Sequence, residues 1–445
     1  MAQPLLQSHI YFITFCDMQS VLNIAIDIQL LIIKYGKMKK TKITLLLVLV
    51  SFIYLSYGQS SGWKNWRGPS ADGSTNETDW SPEKLINGNG ILWTTNVGTG
   101  HSSVAVVGDK LYTNGNWEIS ENKFIDRVVC LDVNSGEIIW QFEYSMVEGE
   151  DPGPFSTPVL DEGYVYCLSR GGQLYCFDAD NGSIIWTKNL VDKGLTQKDG
   201  EFACSPVFVD DLLILNMNTS GLALNKKTGE KVWNSEVSAR SLSSVVAFDI
   251  GDKNYISTQG DGNTYAVDPV NGNVKWMIPE GAISDPIFHK DELLIYSYKG
   301  SSLYNLKTDP PTRIWNNTKI KAQFQSYVRK DGYSYGFSNY SGMKLICFKV
   351  STGEIQWEQK MSAGSLIISN DILIVIDKEG ILRFIKASPE NFDEIGNAAV
   401  IKNADTDAKG RGYRRISGCW TNPVLYNKKV YVRNSYGELV CLDVS

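Results

Sequence analysis

Histidine is almost missing from this chain: three in 445 residues, of which only His101 and His289 lie beyond residue 58. None of the eight cysteines has a cysteine as its neighbour, and no Cys-x-x-Cys occurs. That excludes the vicinal dithiol of a redox motif, a zinc ribbon and a c-type haem attachment. There is no Gly-x-Ser-x-Gly elbow, no His-Glu-x-x-His and no phosphate-binding Gly-rich loop ending in Lys-Ser or Lys-Thr, so the commonest signatures of hydrolases and nucleotide enzymes are absent. Positive charge is not in excess either. The formal charge is -6 with a pI near 5.4, and a protein that tracks a phosphate backbone presents a basic stripe, so nucleic acid is not the expected partner.

What the chain does have is aromatic residues at a fixed period. "VVCLDVNSGEIIW", "LYCFDADNGSIIW", "LALNKKTGEKVW", "TYAVDPVNGNVKW", "LYNLKTDPPTRIW" and "LICFKVSTGEIQW" end at Trp140, Trp186, Trp233, Trp276, Trp315 and Trp357, 39 to 47 residues apart. In each, alternating apolar residues make a half-buried strand. A Gly four before the Trp (136, 182, 229, 272, 353) supplies the positive-φ position of a tight turn, often entered by Asp132, Asp178 or Asp268; Pro311 takes that place in one copy. A second pair of strand-like runs precedes every hairpin. Four strands per unit at this period indicate β-propeller blades.

Two more units are incomplete. Residues 365–388 have the strands but continue into "PENFDEI" without a Trp, and 422–445 stop before an outer strand. "ILWTTNV" (91–97) can supply that strand, since Trp93 lies 47 residues before Trp140. Pairing the first strand with the last removes two open edges. The expected fold is therefore all-β: an eight-bladed propeller of four-stranded antiparallel blades, closed by its N- and C-terminal strands, with seven blades if 365–400 is irregular. Trp93, Trp140, Trp186, Trp233, Trp276, Trp315 and Trp357 are read as structural, each docking on the next blade and burying on the order of 150–250 Å².

The N-terminus reads as an address. Met38-Lys39-Lys40-Thr41-Lys42 followed by "ITLLLVLVSFIYL" and Ser56-Tyr57-Gly58 gives the basic, apolar and small-residue parts of a signal peptide. The apolar run is short for a span of about 20 residues, so cleavage is expected rather than anchoring. Residues 1–37 fit no part of such a signal and read as an upstream extension, with Met38 as the start. This divides the chain into 1–37, a signal at 38–58, an N-terminal segment at 59–90 and the propeller at 91–445. The implied location is the periplasm or the exterior of a bacterium, with no membrane span after cleavage. Cys130, Cys176, Cys347 and Cys441 share one strand slot with Ala223 and Ala266, which marks a small buried packing position.

The pattern Asp-x-x-x-Gly-x-x-x-Trp after a Leu-x-Cys-Leu/Phe strand resembles the repeat of the pyrroloquinoline-quinone (PQQ) propellers. That superfamily contains quinoprotein alcohol dehydrogenases and the non-catalytic assembly lipoprotein BamB. "WKNWRGPSADG", "ILWTTNVGTGHSS", "ASPENFDEI" and "CWTNPVLYNKKVYVRNSYGELVCLD" are similar to exported PQQ-like propellers, and the likeness runs over about 59–445. It implies either a scaffold that binds a partner protein or small-molecule ligand, or a PQQ- and Ca²⁺-dependent oxidoreductase acting on an alcohol or sugar hydroxyl. The family's alcohol dehydrogenases carry a disulfide between adjacent cysteines, which this chain cannot form, and longer insertions than its length allows.

A planar tricarboxylate quinone needs cations against its carboxylates and an aromatic floor. Candidates for that set are Trp117, Arg170, Arg240, Arg411, Arg414, Arg415 and Trp420. His101, Asp405 and Asp407 are the candidate acid–base residues, and Glu148, Glu150 and Asp151 the candidate metal ligands, although their spacing matches no calcium loop. Each set also reads as solvated loop residues. Sequencing the N-terminus of the exported protein should place the first residue near Gln59; a protein that begins at Met1 or retains the apolar run would refute the leader.

Overall fold

The alternation of the repeat becomes strands wherever a hairpin turn allows it. In this computed structural model residues 62–121, 123–145, 153–191, 202–322, 326–401 and 418–445 are described. They form eight sheets, seven of which contain four consecutive strands in antiparallel order. The first blade comprises Ala105–Val107, Lys110–Ser120, Lys123–Asp132 and Ile138–Tyr144. Blades 2 to 7 follow at 159–189, 207–234, 246–278, 287–317, 328–360 and 364–399. Blade 8 takes three strands from 424–443 and its outer strand from Ile91–Asn96, which pairs antiparallel with Glu438–Asp443 and sets Trp93 opposite Cys441. The ring is an eight-bladed propeller, and 364–399 is a blade. Among the described residues no helix is long and apolar enough to cross a membrane.

The turn chemistry explains the motif. Asp132 Oδ1 accepts the backbone N–H groups of Asn134 and Ser135 at 2.8 and 2.9 Å, and Asp178 does the same for Asp180 and Asn181. These turns present glycines with φ between 68° and 77°, each facing the indole of the preceding blade. A Cβ on Gly136, Gly182, Gly229, Gly272 or Gly353 would lie 2.6–2.8 Å from Trp93, Trp140, Trp186, Trp233 or Trp315. Glycine is needed there for close approach as much as for φ. The same indoles donate Nε1–H to a carbonyl of the next blade: Trp93 to Val133, Trp140 to Ala179, Trp186 to Lys226, Trp233 to Pro269 and Trp315 to Val350, at 2.8–3.1 Å. Trp357 reaches Ser388 in the blade that lacks the repeat turn. Trp276 faces the blade carrying Pro311, and it packs with Leu293, Tyr304 and Leu306.

The cysteine slot lies in the same layer. Across three strands, Tyr112–Cys130–Trp140, Tyr166–Cys176–Trp186, Tyr335–Cys347–Trp357 and Tyr431–Cys441–Trp93 stand in register. Tyr112 and Trp140 share the Ala179 carbonyl, and Tyr166 and Trp186 share that of Lys226. Burial pushes all four thiols up to about 12, so they stay protonated and unreactive.

Residues 62–90 complete the ring in a way the repeat does not announce. Trp63 bridges Val106 on the inner strand of blade 1, and the Lys64 carbonyl accepts Leu160 N–H of blade 2. Trp66 Nε1 donates to Asp285 Oδ2 at 2.7 Å and Arg67 Nη2 to the Tyr327 carbonyl at 2.7 Å. Ser74–Thr75 then pairs in parallel with the inner strand Gly364–Ser369 of blade 7. The segment thus crosses the ring along the inner strands of blades 1, 2 and 7 and reaches the residues just before the inner strands of blades 5 and 6. Farther on, Trp80 tilts against Phe384, and the short helix Glu83–Ile86 lies on the outer strand of blade 7. There Gly396 stands opposite Phe384, in the register position where other blades carry Trp, and Ile86 occupies the space above it, 2.5 Å from where a Cβ would be.

Trp233→Ala should lower unfolding free energy by about 3–5 kcal/mol, read by urea denaturation; a loss below about 0.5, typical of surface positions, would contradict the docking role. Ile86→Ala, at a partly exposed position, should cost less than the about 2–5 kcal/mol of a fully buried Ile→Ala yet more than a surface change, and protection from hydrogen exchange should fall first in 394–399.

Candidate functional site

Because every inner strand starts at the end where blades are joined, the interblade loops and the second-to-third-strand turns gather on one face of the ring. The opposite face carries the tight turns. At the loop end of the channel, the residue two before each inner strand is small and polar. Ser103 N–H donates to Thr157 Oγ1, Thr157 N–H to Ser205 Oγ, Ser205 N–H to Ser244 Oγ and Ser244 N–H to Asp285 Oδ1, at 2.7–3.0 Å. This belt satisfies backbone donors that a sheet edge would leave open and ties blades 1 to 5 around the axis. Asp285 ends it, holding Trp66 on its other oxygen. Its pKa is raised by burial, with Arg67 and these hydrogen bonds opposing.

The charged groups behind the belt are also turned inward. Arg433, 1% exposed, donates to the carbonyls of Ser102, Asn114 and Gly98 and to Thr113 Oγ1, at 2.7–2.9 Å. Burial alone draws its pKa down to about 9. Asp126, fully buried, accepts Arg170 Nε and Nη2 at 3.1 Å and Asn116 Nδ2 at 2.8 Å. His101 stacks on Phe155 with ring centroids 5.1 Å apart. Burial, then Arg433, lowers it to about 3, so the imidazole is neutral at physiological pH.

The sequence candidates are thus dispersed. Arg170 is half of a buried ion pair. Arg240 is exposed on the 235–245 loop. Trp117 packs against Arg127, whose guanidinium lies 4.9 Å from the ring; Trp420 is half-buried, and its carbonyl accepts Ser365 Oγ. Asp405, Asp407, Arg411, Arg414 and Arg415, with Glu148, Glu150 and Asp151, lie outside the described residues. Among the described residues no three His, Cys, Asp or Glu side chains are grouped to hold a metal ion. A tricarboxylate quinone fits poorly on what is described: the buried guanidiniums of Arg170 and Arg433 already donate to protein acceptors, and only Arg433 Nε is left without one. The sequence did not single out Arg433 or Asp285, whose only signal is a charged residue where the repeat places uncharged side chains.

On the opposite face a cleft of about 750 Å³ runs between blades 5 and 6, bordered by Asp72, Phe288, His289, Lys290, Ile314 and Arg329 among others. Its charges neutralise one another, as in Arg329–Glu292 at 2.7 Å and Lys307–Asp291 at 3.3 Å.

Comparison with known proteins agrees with this geometry. A family model described as "Outer membrane protein assembly factor BamB" matches residues 125–359, more than half of the chain. The outer membrane protein assembly factor BamB of Yersinia pestis is 24% identical over 201 residues, 43% of this chain and 49% of that one. A quinoprotein ethanol dehydrogenase of Pseudomonas putida is 23% identical over 271 residues, 51% and 43% of the two chains. The alignments span about half the length of these two relatives. Among solved structures, BamB from Moraxella catarrhalis superposes with a TM-score of 0.55 at 16% identity, covering 79% of this chain and all of that one; the likeness shows the fold.

Asp126→Ala should destabilise by about 3–5 kcal/mol by stranding the Arg170 cation, and adding Arg170→Met should restore part of the loss in a double-mutant cycle. His101 has a folded pKa below its unfolded value near 6.5. Its contribution to stability is complete above that pH and is lost as pH falls toward about 3. The stability difference between the wild type and His101→Phe should therefore shrink on acidification through this window, measured by denaturant melts at stepped pH.

Proposed function

The chain belongs to the family described as outer membrane protein assembly factor BamB, and from that membership we propose that it is an exported scaffold that binds a partner protein in outer-membrane protein assembly. The observation that supports it most is the use of the charged groups at the loop end of the channel. Arg433 is spent on four acceptors of the ring, Arg170 on Asp126, and Asp285 on Trp66 and Ser244. A catalyst needs such groups free to meet substrate, whereas a scaffold needs them to hold loops in fixed positions. The crossing segment adds to the rigidity by tying blades that are not neighbours. On this reading the loops do the binding and the ring presents them.

Tagged protein isolated from its own cells after cross-linking should carry a component of the outer-membrane assembly apparatus, and deletion should lower the level of outer-membrane β-barrel proteins. Retention of normal levels together with no co-isolated envelope protein would refute the scaffold. Adding PQQ and Ca²⁺ should leave the melting temperature unchanged, since only binding to the native state raises it. A clear rise, with dye reduction on an alcohol or sugar, would establish the quinoprotein alternative instead.

A further inference from the structure

We infer that the loop face of blades 5 and 6 is the docking surface for an acidic segment of the partner protein; the inference rests on the scaffold reading and names the chemistry of its partner. The chain as a whole is negative, at -6, yet this sector is not. The described loop residues 298–299, 318–322 and 339–343 hold three lysines, Lys299, Lys319 and Lys321, and no aspartate or glutamate. They are contiguous in space as well as sharing a face. Ala322 N–H donates to the Ser297 carbonyl, and Asn339 N–H to that of Lys321. These bonds set the 318–322 loop between the turns that carry Tyr298 and Tyr340.

Two of the ammonium groups rest on aromatic rings. Lys299 Nζ lies 5.7 Å from the ring of Tyr298 and Lys321 Nζ 5.6 Å from that of Tyr340. A lysine held this way has lost part of its conformational freedom while its charge remains available to a ligand. Tyr298 is 61% exposed, and Ile283, on the adjoining interblade loop, is 37% exposed. Large aromatic and aliphatic surface beside cations with no ion pair among the described residues is the composition of a protein interface rather than of a solvated rim. Charge complementarity selects the occupant: a chain segment bearing carboxylates for the lysines and apolar side chains for Tyr298 and Ile283. Other surface lysines pair with carboxylates, as in Lys110–Asp180 and Lys275–Asp309 at 2.7 and 2.6 Å.

The test uses the full exported protein and a short fluorescein-labelled peptide alternating glutamate with leucine, read by anisotropy. The wild type should bind it, and raising salt from about 50 to about 300 mM should weaken binding by screening. Lys299→Glu/Lys319→Glu/Lys321→Glu should weaken it on the order of tenfold or more, because like charges then face the peptide. Lys290→Glu/Lys307→Glu on the opposite face should leave it unchanged. All five lysines are at the surface, and matching circular dichroism and melting curves verify the fold. Absence of binding to the wild type, equal binding by the triple variant, or tighter binding of a single-stranded oligonucleotide of the same length would each overturn the inference. Co-isolation from cells separates it from the scaffold reading. If the triple variant still brings down the wild type's partner, the docking surface is wrong and the scaffold stands; if the wild type brings down none, the scaffold itself falls.

Discussion

The structure depends on one contact repeated around a circle: an indole at the edge of a blade lying flat on the glycine of the next blade's turn, with its N–H on a carbonyl of that turn. A four-stranded sheet cannot bury both faces alone. The indole provides apolar area and one directional bond, which together fix the distance and angle between neighbours. Glycine at the contact removes the Cβ that would hold the sheets apart. Strand alternation decides that each blade forms, and this contact decides that blades pack into a ring.

Where the repeat fails, the chain repairs it from outside the repeat. Blade 7 has Gly396 where an indole belongs, and Ile86 from the segment before the first strand fills the space. The same segment has already crossed the channel, using Trp63, Trp66 and Arg67 to join inner strands on opposite sides. Arg67 takes a left-handed backbone, φ 62°, to do so, a conformation costly for a residue with a Cβ. Closure is therefore doubled: Ile91–Asn96 zips the outer rim of blade 8, and 62–75 laces the inside.

This construction constrains function. Buried charges in a ring of sheets must be paired or capped, since an unpaired charge costs several kcal/mol. Arg433 and Arg170 meet most of that demand with carbonyls and Asp126. Among the described loop residues, Tyr298 and Lys299 are exposed and Lys321 is partly exposed beside them. On the proposed scaffold reading, binding by the rim fits this distribution.

Periodicity determined the architecture, because a residue type that recurs at 39 to 47 residues beside a glycine turn has one economical packing. The blade count, the closing strand at 91–96 and the inertness of the Cys slot followed from local pattern, since each concerns neighbours along a strand or across one hairpin. The positions of single charged residues did not. Arg170 and Trp117 read as cofactor-binding candidates, and only the structure sets Arg170 on Asp126 and Trp117 beside Arg127, because the neighbours of a charged or aromatic side chain depend on which distant group folding brings beside it. The path of 62–90 and the basic sector over blades 5 and 6 were likewise decided by tertiary structure alone: they arise between segments remote in sequence, where no period links the parts.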